Sequence, residues 1–563
     1  MIQQVAFKNF RRFKSFPEMS LGDINIFVGR NNSGKSTVLK ALQLMKGNLN
    51  TLSNIFNRKN IFSSLTPMFV FDVDELAELH IDNFERALYN KAERKEITLS
   101  VTIEGCTFTI VLDGQNIEQN SYYVAVPYNS MELKSGDFYL SFNFQTRDLH
   151  MKFNPGKKFL LSTEVYQMMR NNQETLKEMQ AERNDLISII SENEVIFRNL
   201  NSKLHSSSGQ SLSSQEMIDI VSKRQRIQTS NRTYRKRLDA LEKEISEMQK
   251  SKLNVSDIDI SIKSLPEFTN QADVNVIQQV FKNIFEYAET DFGYDQRTKN
   301  YKSTRSNQLL IKSSMVFLQL VGKRFLDALK NYDLEYIHAH AASQKVIYLK
   351  EDKMDVLSKS LSDFCKARII PGDKEWTFIK KWMGKDRFAI GEDFRIDEIQ
   401  SAGYILKIIE DGEELNLADK GTGSIQIMTL LFSLAVIMHK ASNEQYYPTI
   451  LIEEPEQNLH PILQSMLADM LLDFRDTIMD NEIQLIIETH SEYLVRRTQV
   501  IAAKMDYIDD ENNPELNPFT TFYFPSEKEK HPYKMIYQSD GKFKNDFGVG
   551  FFDEAENLAF AIL

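Results

Sequence analysis

Apolar residues recur along this chain in three rhythms, and each predicts a different kind of element. Residues 2–10 and 23–28 are dense in β-branched and aromatic residues and predict two strands. The second runs into GRNNSGKST and then TVLKALQLM, whose apolar positions have helical spacing. From about 96 to 153, the segments ITLSVTIE, CTFTIVLD, SYYVAV and DFYLSFNF alternate apolar and polar residues, which predicts an antiparallel sheet lobe. From about Ser162 the spacing changes to alternating fours and threes: Val165, Met169, Asn172, Leu176, Met179, Arg183, Leu186, Ile190, Asn193, Phe197, Leu200 and Leu204 form a heptad seam. HSSSGQSLSS (205–214) breaks it as a turn, and a second seam follows with Ile220, Arg224, Ile227, Asn231, Tyr234, Leu238, Leu241, Ile245 and Met248. Two long helices joined by a short polar loop predict an antiparallel coiled-coil hairpin, with arms of roughly 50–60 Å at about 1.5 Å per residue. Two separate amphipathic helices packed on the rest of the chain satisfy the same spacing. Polar entries in the seams favour register over stability.

Beyond the hairpin, residues 264–410 are mixed. Helical stretches near 309–330 and 354–367 flank the strand-like LEYIHAH, and GYILKII is a further strand. The order then becomes helix (424–440), strand (449–452), helix (461–477), strand (483–488) and helix (491–504), which predicts a parallel sheet covered on both faces. No tandem repeat of 20 to 50 residues is evident in the sequence. The expected divisions are 1–160 and 401–505 as two parts of one α/β head, 161–255 as the hairpin, 256–400 as a helical or mixed region, and 506–563 as an extension.

Composition narrows the class. At 563 residues, with 42% hydrophobic and 26% charged, the chain has the make-up of a folded protein of several domains. It has no run of 18 apolar residues, the stretch around Leu430 to Met438 is too short to span a bilayer, and the N-terminus has no apolar signal region. No membrane association is therefore expected. Two distant cysteines, Cys106 and Cys365, exclude a disulfide framework and a multi-cysteine zinc site, and a reducing cytoplasm is the expected location. A net charge of −11 excludes a globally basic nucleic-acid coat, so DNA contact would need a local patch.

Four motifs carry chemistry. Gly29, Arg30, Asn31, Asn32, Ser33, Gly34, Lys35 and Ser36, followed by Thr37, match G-x-x-x-x-G-K-[ST] between a strand and a helix. Its backbone N–H groups turn around phosphates, Lys35 reaches the β and γ phosphates of ATP, and Ser36 ligates Mg²⁺. In TILIEEPEQNLHP (449–461) a buried strand ends in two carboxylates: Glu453 for Mg²⁺, and Glu454 to orient the water that attacks the γ-phosphate. His490, after the strand in QLIIETHSEYL, stands at the same sheet edge and is placed to hydrogen-bond the γ-phosphate; a lone histidine is more often structural. The glycines and serine of DKGTGSIQIMTLL, namely Gly421, Gly423 and Ser424, form a second anion-receptive helix start, suited to the nucleotide of another subunit. A plain helix N-cap at Thr422 or Ser424 explains the same residues.

Together these elements resemble the P-loop ATPase heads of the ABC type in the SMC, RecF and OLD class. FKNFRRFKSF…INIFVGRNNSGKSTVLKAL, EEPEQNLHP and ETHSEYL carry the likeness. The resemblance implies an α/β head with an antiparallel β lobe and an inserted coiled coil. It places Lys35 and Ser36 in Walker A, Glu453 and Glu454 in Walker B, Asn458 to His460 in the D-loop and His490 in the H-loop. Gly421, Gly423 and Ser424 would stand as the signature motif acting on a partner's ATP, in a head-to-head homodimer that sandwiches two nucleotides. Glu453 replaces the more usual Asp, DKGTGSIQ is not the LSGGQ form, no Q-loop glutamine is evident, and the hairpin tip lacks a zinc-hook C-x-x-C. The segment after His490 lacks the acidic pattern of a Toprim nuclease, so ATPase activity without nuclease activity is expected.

The tail and the overall design resemble stand-alone ATPases of prokaryotic antiviral operons, of the Septu, PARIS and retron-associated types. That implies a defence ATPase working with a separately encoded effector nuclease. The alternative is a recombination or repair ATPase that binds DNA directly. Its support is the basic run Lys223, Arg224, Arg226, Arg232, Arg235, Lys236 and Arg237 on the second arm, although such a run is usually a solvated coiled-coil face.

Overall fold

Strands β1 (Ile2–Phe10) and β2 (Phe13–Ser20) form an antiparallel hairpin, and β3 (Ile24–Gly29) runs straight into helix α1 (Lys35–Asn57). β4 (Glu96–Ile103), β5 (Cys106–Asp113), β6 (Val124–Ser135) and β7 (Phe138–Asn143) build the antiparallel lobe, whose order runs β7-β6-β5-β4-β1-β2. The alternation that announced the lobe is its burial pattern: β5 reads buried–intermediate–buried along its length. β2 was not anticipated, because FKSFPEMS carries a proline and few β-branched residues; Phe13, Phe16 and Met19 are nonetheless buried at every third position.

This computed structural model describes residues 1–57, 68–71, 81, 83–119, 124–136, 138–153, 163–205, 214–250, 258–263, 294–295, 300–301, 325, 327–338, 344–352, 355–400, 402–444, 446–478, 483–505, 507, 517–527, 530–548, 553, 558 and 560–561. The chain divides into two units. One comprises residues 1–150, 261–268 and 322–563; the other comprises 151–260 and 269–321.

The second unit carries the hairpin, α2 (Thr163–His205) and α3 (Ser214–Lys250). Leu186, Leu241 and Ile245 form its core, with Met179, Tyr234 and Leu238 packed against them. Pairs Arg183–Glu242, Glu182–Arg237, Glu194–Arg235 and Asn193–Asn231 span 59, 55, 41 and 38 residues. The separation shrinks toward the turn, which only antiparallel pairing of the two helices with each other produces. Seam positions Val165, Met169, Asn172, Leu176, Leu204 and Met248 lie outside the described side chains.

The larger unit is organised on a six-stranded sheet. Its members are β3, β8 (Leu334–Ile337) and, further on, β12 (Thr449–Glu453), β13 (Gln484–Thr489), β14 (Phe519–Phe524) and β15 (Tyr533–Met535), in the order β8-β12-β13-β3-β14-β15. All pairings are parallel except β14 with β15. Burial on both faces explains the unbroken apolar runs in β3 and β13. Between β8 and β12 lie α4 (Val356–Lys366), α5 (Lys374–Met383), a small antiparallel sheet of β9 (Asp393–Ile399), β10 (Gly403–Glu410) and β11 (Glu413–Asn416), and α6 (Thr422–Glu444). Helices α7 (Pro461–Thr477) and α8 (Glu492–Met505) complete the covering.

Three expectations change. The head does not stop at 505: β14 pairs with β3 over its whole length, because FTTFYF is buried at every position and fills the open side of the P-loop strand. The region 256–400 is not one body: 322–400 groups with the head, since β8 pairs with β12 and α4 and α5 pack on α6. Finally, α6 is longer than the apolar stretch around Leu430–Met438, and by length and composition it could cross a membrane. Of its most apolar window 78% is buried, so its hydropathy is that of a core helix surrounded on all sides.

Candidate functional site

The C-terminal ends of β3, β12 and β13 bring three of the four motifs together. Between β3 and α1 the loop turns tightly enough to need left-handed backbone: φ is +152° at Gly29, +60° at Asn32 and +103° at Gly34. A Cβ on Gly34 would stand 2.5 Å from the Phe13 ring, and one on Gly29 would stand 2.4 Å from the Phe524 carbonyl. Arg12 adds a clasp, donating to the carbonyls of Asn32 and, at 2.7 Å, Ser526. Arg30, Asn31 and Asn32 are exposed, whereas Ser33, Lys35 and Thr37 are buried. Ser33 Oγ has no hydrogen-bond partner among the described residues.

Lys35 is turned back on its own loop. Its ammonium donates to the carbonyls of Gly29 (3.1 Å) and Arg30 (3.2 Å) and meets His490 Nε2 at 3.1 Å. Burial lowers its pKa, opposed by Glu488, Glu454 and Glu456. Ser36 Oγ donates to Glu488 Oε1 at 2.8 Å.

The carboxylates differ sharply in environment. Glu454 has φ +41° and donates its N–H to the Glu488 carbonyl at 2.7 Å, so strand β12 ends in a strained turn back toward β13. Its carboxylate lies 3.4 Å from His490 Nε2 and accepts from Gln457. Hydrogen bonding to His490 leads in drawing its pKa down to about 2, despite partial burial. Glu488 goes the other way: burial pushes it up to about 7, and its Oε2 is buried with no hydrogen-bond partner among the described residues. Glu456 is buried too, its pKa raised by desolvation, and its Oε1 accepts the His490 N–H at 2.6 Å. Glu453, half-buried at the end of β12, stands in register with Glu488 on β13. Glu454, Glu488 and His490 present ligand atoms within 4.8 Å of one another, with the Lys35 ammonium beside them. His490 Nε2 can accept from Lys35 or donate to Glu454, but not both at once.

The fourth motif meets the second rather than the phosphate-loop candidate. Helix α6 begins at Thr422, Ser424 donates its N–H to the Gly421 carbonyl at 2.9 Å, and a Cβ on Gly423 would stand 2.7 Å from the Asn458 carbonyl. The helix start thus packs on the 458–460 turn. No hydrogen bond among the described residues joins Gly421, Gly423 or Ser424 to residues 29–37. The basic run is also divided: Arg235 and Arg237 pair with Glu194 and Glu182, and Arg224 lies 5.2 Å over the Phe197 ring. These three also contribute to the hairpin's own packing, while Lys223, Arg226, Arg232, Arg235, Lys236 and Arg237 are all exposed.

Sequence reasoning missed Glu488, Glu456 and Arg12. Glu488 was visible as an acid ending a buried strand two residues before His490, the same signal that singled out Glu453.

Residues 1–495 match the family model described as AAA ATPase domain. Structural maintenance of chromosomes protein 3 homolog of Plasmodium falciparum (isolate 3D7) is 26% identical over 122 residues, 22% of this chain and 10% of that protein. The chain thus matches about a tenth of that relative's length. Among solved structures, the Smc head domain with an extended coiled coil from Pyrococcus furiosus, bound to the C-terminal domain of ScpA, aligns over 100% of this chain and 99% of that one. Its identity is 7% and its TM-score 0.28, too low to bear on the fold.

Proposed function

The chain belongs to the AAA ATPase domain family, and on that premise we propose that it binds ATP with a divalent cation and hydrolyses it at the edge of β3, β12 and β13. The observation that carries this reading is the meeting of Lys35, Ser36, Glu454 and His490 at one sheet edge. The loop from Gly29 to Ser36, with the start of α1 behind it, receives the phosphates. Lys35 exchanges the carbonyls of Gly29 and Arg30 for phosphate oxygens. When bound, Mg²⁺ neutralises phosphate charge, and Ser36 and Glu453 are the residues to hold it; the oxygen donors present suit a hard cation. Glu454, ionised at neutral pH, orients the attacking water rather than holding a proton of its own. His490, released from Lys35, donates to the γ-phosphate.

Steady-state hydrolysis and nucleotide binding test this together. Glu454→Gln should keep ATP affinity and lose roughly 10²–10⁴-fold in turnover, and Lys35→Ala should lose affinity. Equal rates in wild type and Glu454→Gln would sink the assignment.

Gly421, Gly423 and Ser424, which no hydrogen bond among the described residues joins to residues 29–37, support an ATP-sandwiched homodimer in which they serve the partner's nucleotide. Light scattering of Glu454→Gln with and without ATP tests it. The wider role we favour is that of the ATPase of a prokaryotic antiviral complex with a separate effector nuclease, supported by the likeness of the tail and of the head-plus-hairpin design. Co-purification of such a nuclease is the test. The second reading, an SMC- or RecF-like ATPase that binds DNA, is favoured by the exposed cations Lys223, Arg226, Arg232, Arg235, Lys236 and Arg237. Reversing them should abolish salt-sensitive duplex binding if that reading holds.

A further inference from the structure

Glu488 is the acid that ATP hydrolysis, as derived above, leaves without a task. It is 4% exposed, its Oε1 takes the Ser36 hydroxyl at 2.8 Å, and its Oε2 is buried with no hydrogen-bond partner among the described residues. The nearest positive charge, Lys35 Nζ, is 3.8 Å from Oε1. A carboxylate oxygen kept from water without a donor is costly, and a protein that builds one commonly has an occupant for it.

Sheet register identifies the kind of occupant. Glu488 and Glu453 are paired residues on adjacent parallel strands, so they project from the same face about 4.8 Å apart. Ile452 and Ile487, one residue back on each strand, point into the opposite core. The glutamates therefore share the face that receives Ser36. The 2.8 Å between Ser36 Oγ and Glu488 Oε1 is close to the separation of about 3 Å between neighbouring oxygens that each lie about 2.1 Å from a small hard cation.

We propose that Glu488 is a ligand of the divalent cation that enters with the nucleotide, acting with Ser36 and opposite Glu453, so that this head grips the ion with a pair of strand-end glutamates. The donor set is all oxygen, which selects Mg²⁺ or Mn²⁺ over softer metals. The inference rests on the nucleotide reading above; the alternative task for Glu488 is a simple counter-ion to Lys35.

Mn²⁺ binding to the full chain, followed by loss of the free-ion electron paramagnetic resonance signal with a non-hydrolysable ATP analogue present, separates the two. Nucleotide affinity without cation is measured in parallel with a fluorescent analogue in EDTA. Glu488→Gln should weaken Mn²⁺ about tenfold or more while cation-free nucleotide affinity stays within about threefold. Glu488→Asp keeps the charge beside Lys35 but withdraws the oxygens by one methylene: a ligand loses Mn²⁺ affinity there too, a counter-ion does not. Unchanged Mn²⁺ affinity in Glu488→Asp overturns the proposal and leaves the counter-ion. Wild type that binds no nucleotide in either condition overturns the nucleotide reading and this inference with it.

Discussion

The backbone N–H of His490 donates to the buried carboxyl of Glu456 at 2.6 Å, tying the turn after β13 to the turn after β12. Two loops that arise from different strands are thereby held as one unit, and the residue whose imidazole meets Lys35 and Glu454 is anchored through its backbone by Glu456.

Glu456→Ala should therefore lower kcat by about tenfold to a hundredfold, with KM little changed, by letting His490 drift. Glu456→Gln keeps an acceptor for the N–H and should recover most of the loss. Steady-state kinetics on the three proteins decides; a Gln variant as poor as Ala would mean that the negative charge, not the hydrogen bond, matters.

Glu488 makes stability depend on pH in an unusual direction. Its folded value, about 7, lies above the ordinary value of 4.5, so the folded chain holds the proton after the unfolded chain has lost it. Between about pH 4.5 and 7 this group's contribution to stability falls as pH rises, and it is flat beyond. The melting temperature of the nucleotide-free protein should drop more steeply across that window in wild type than in Glu488→Gln. Parallel slopes would refute the shift.

Gly34→Ala places a methyl 2.5 Å from the Phe13 ring on backbone at φ +103°. Strain of about 1–3 kcal/mol is expected, read as a lower melting temperature together with weakened ATP binding by calorimetry. An unchanged affinity would show that the loop tolerates re-forming.

In the hairpin, Asn193 Nδ2 donates to Asn231 Oδ1 at 2.9 Å inside the seam. Replacing both with Leu should stabilise the pair by roughly 1 kcal/mol or more and loosen its register, whereas Asn193→Leu alone strands Asn231 and destabilises. Thermal denaturation followed by circular dichroism gives the sign. Cysteine cross-linking at 183 and 242 reports the register.

The parts readable in the sequence are those where one residue type is demanded by local backbone or periodicity. Gly29 and Gly34 announce the phosphate loop because only glycine fits those turns, and Leu186, Ile190, Leu241 and Ile245 announce the hairpin by spacing alone. What escaped is set by register between distant strands. Glu488 matters because β13 aligns it with Glu453, and Glu456 because its carboxyl is buried under His490; neither fact is local. β14 escaped because FTTFYF earns its place by pairing with a strand nearly five hundred residues earlier. The acidic partners of Arg235 and Arg237 lie on the other arm, so spacing along one helix does not reveal them.

That late strand has a consequence for biogenesis. β3 carries the proposed phosphate loop and is flanked by β13 and β14, which are translated after residue 483 and residue 518 respectively. On the ribosome the loop must wait, its strand unpaired, while the lobe and hairpin, built from neighbouring segments, can already form. A nascent chain of this protein should thus acquire its nucleotide affinity only once Phe519–Phe524 has cleared the exit tunnel.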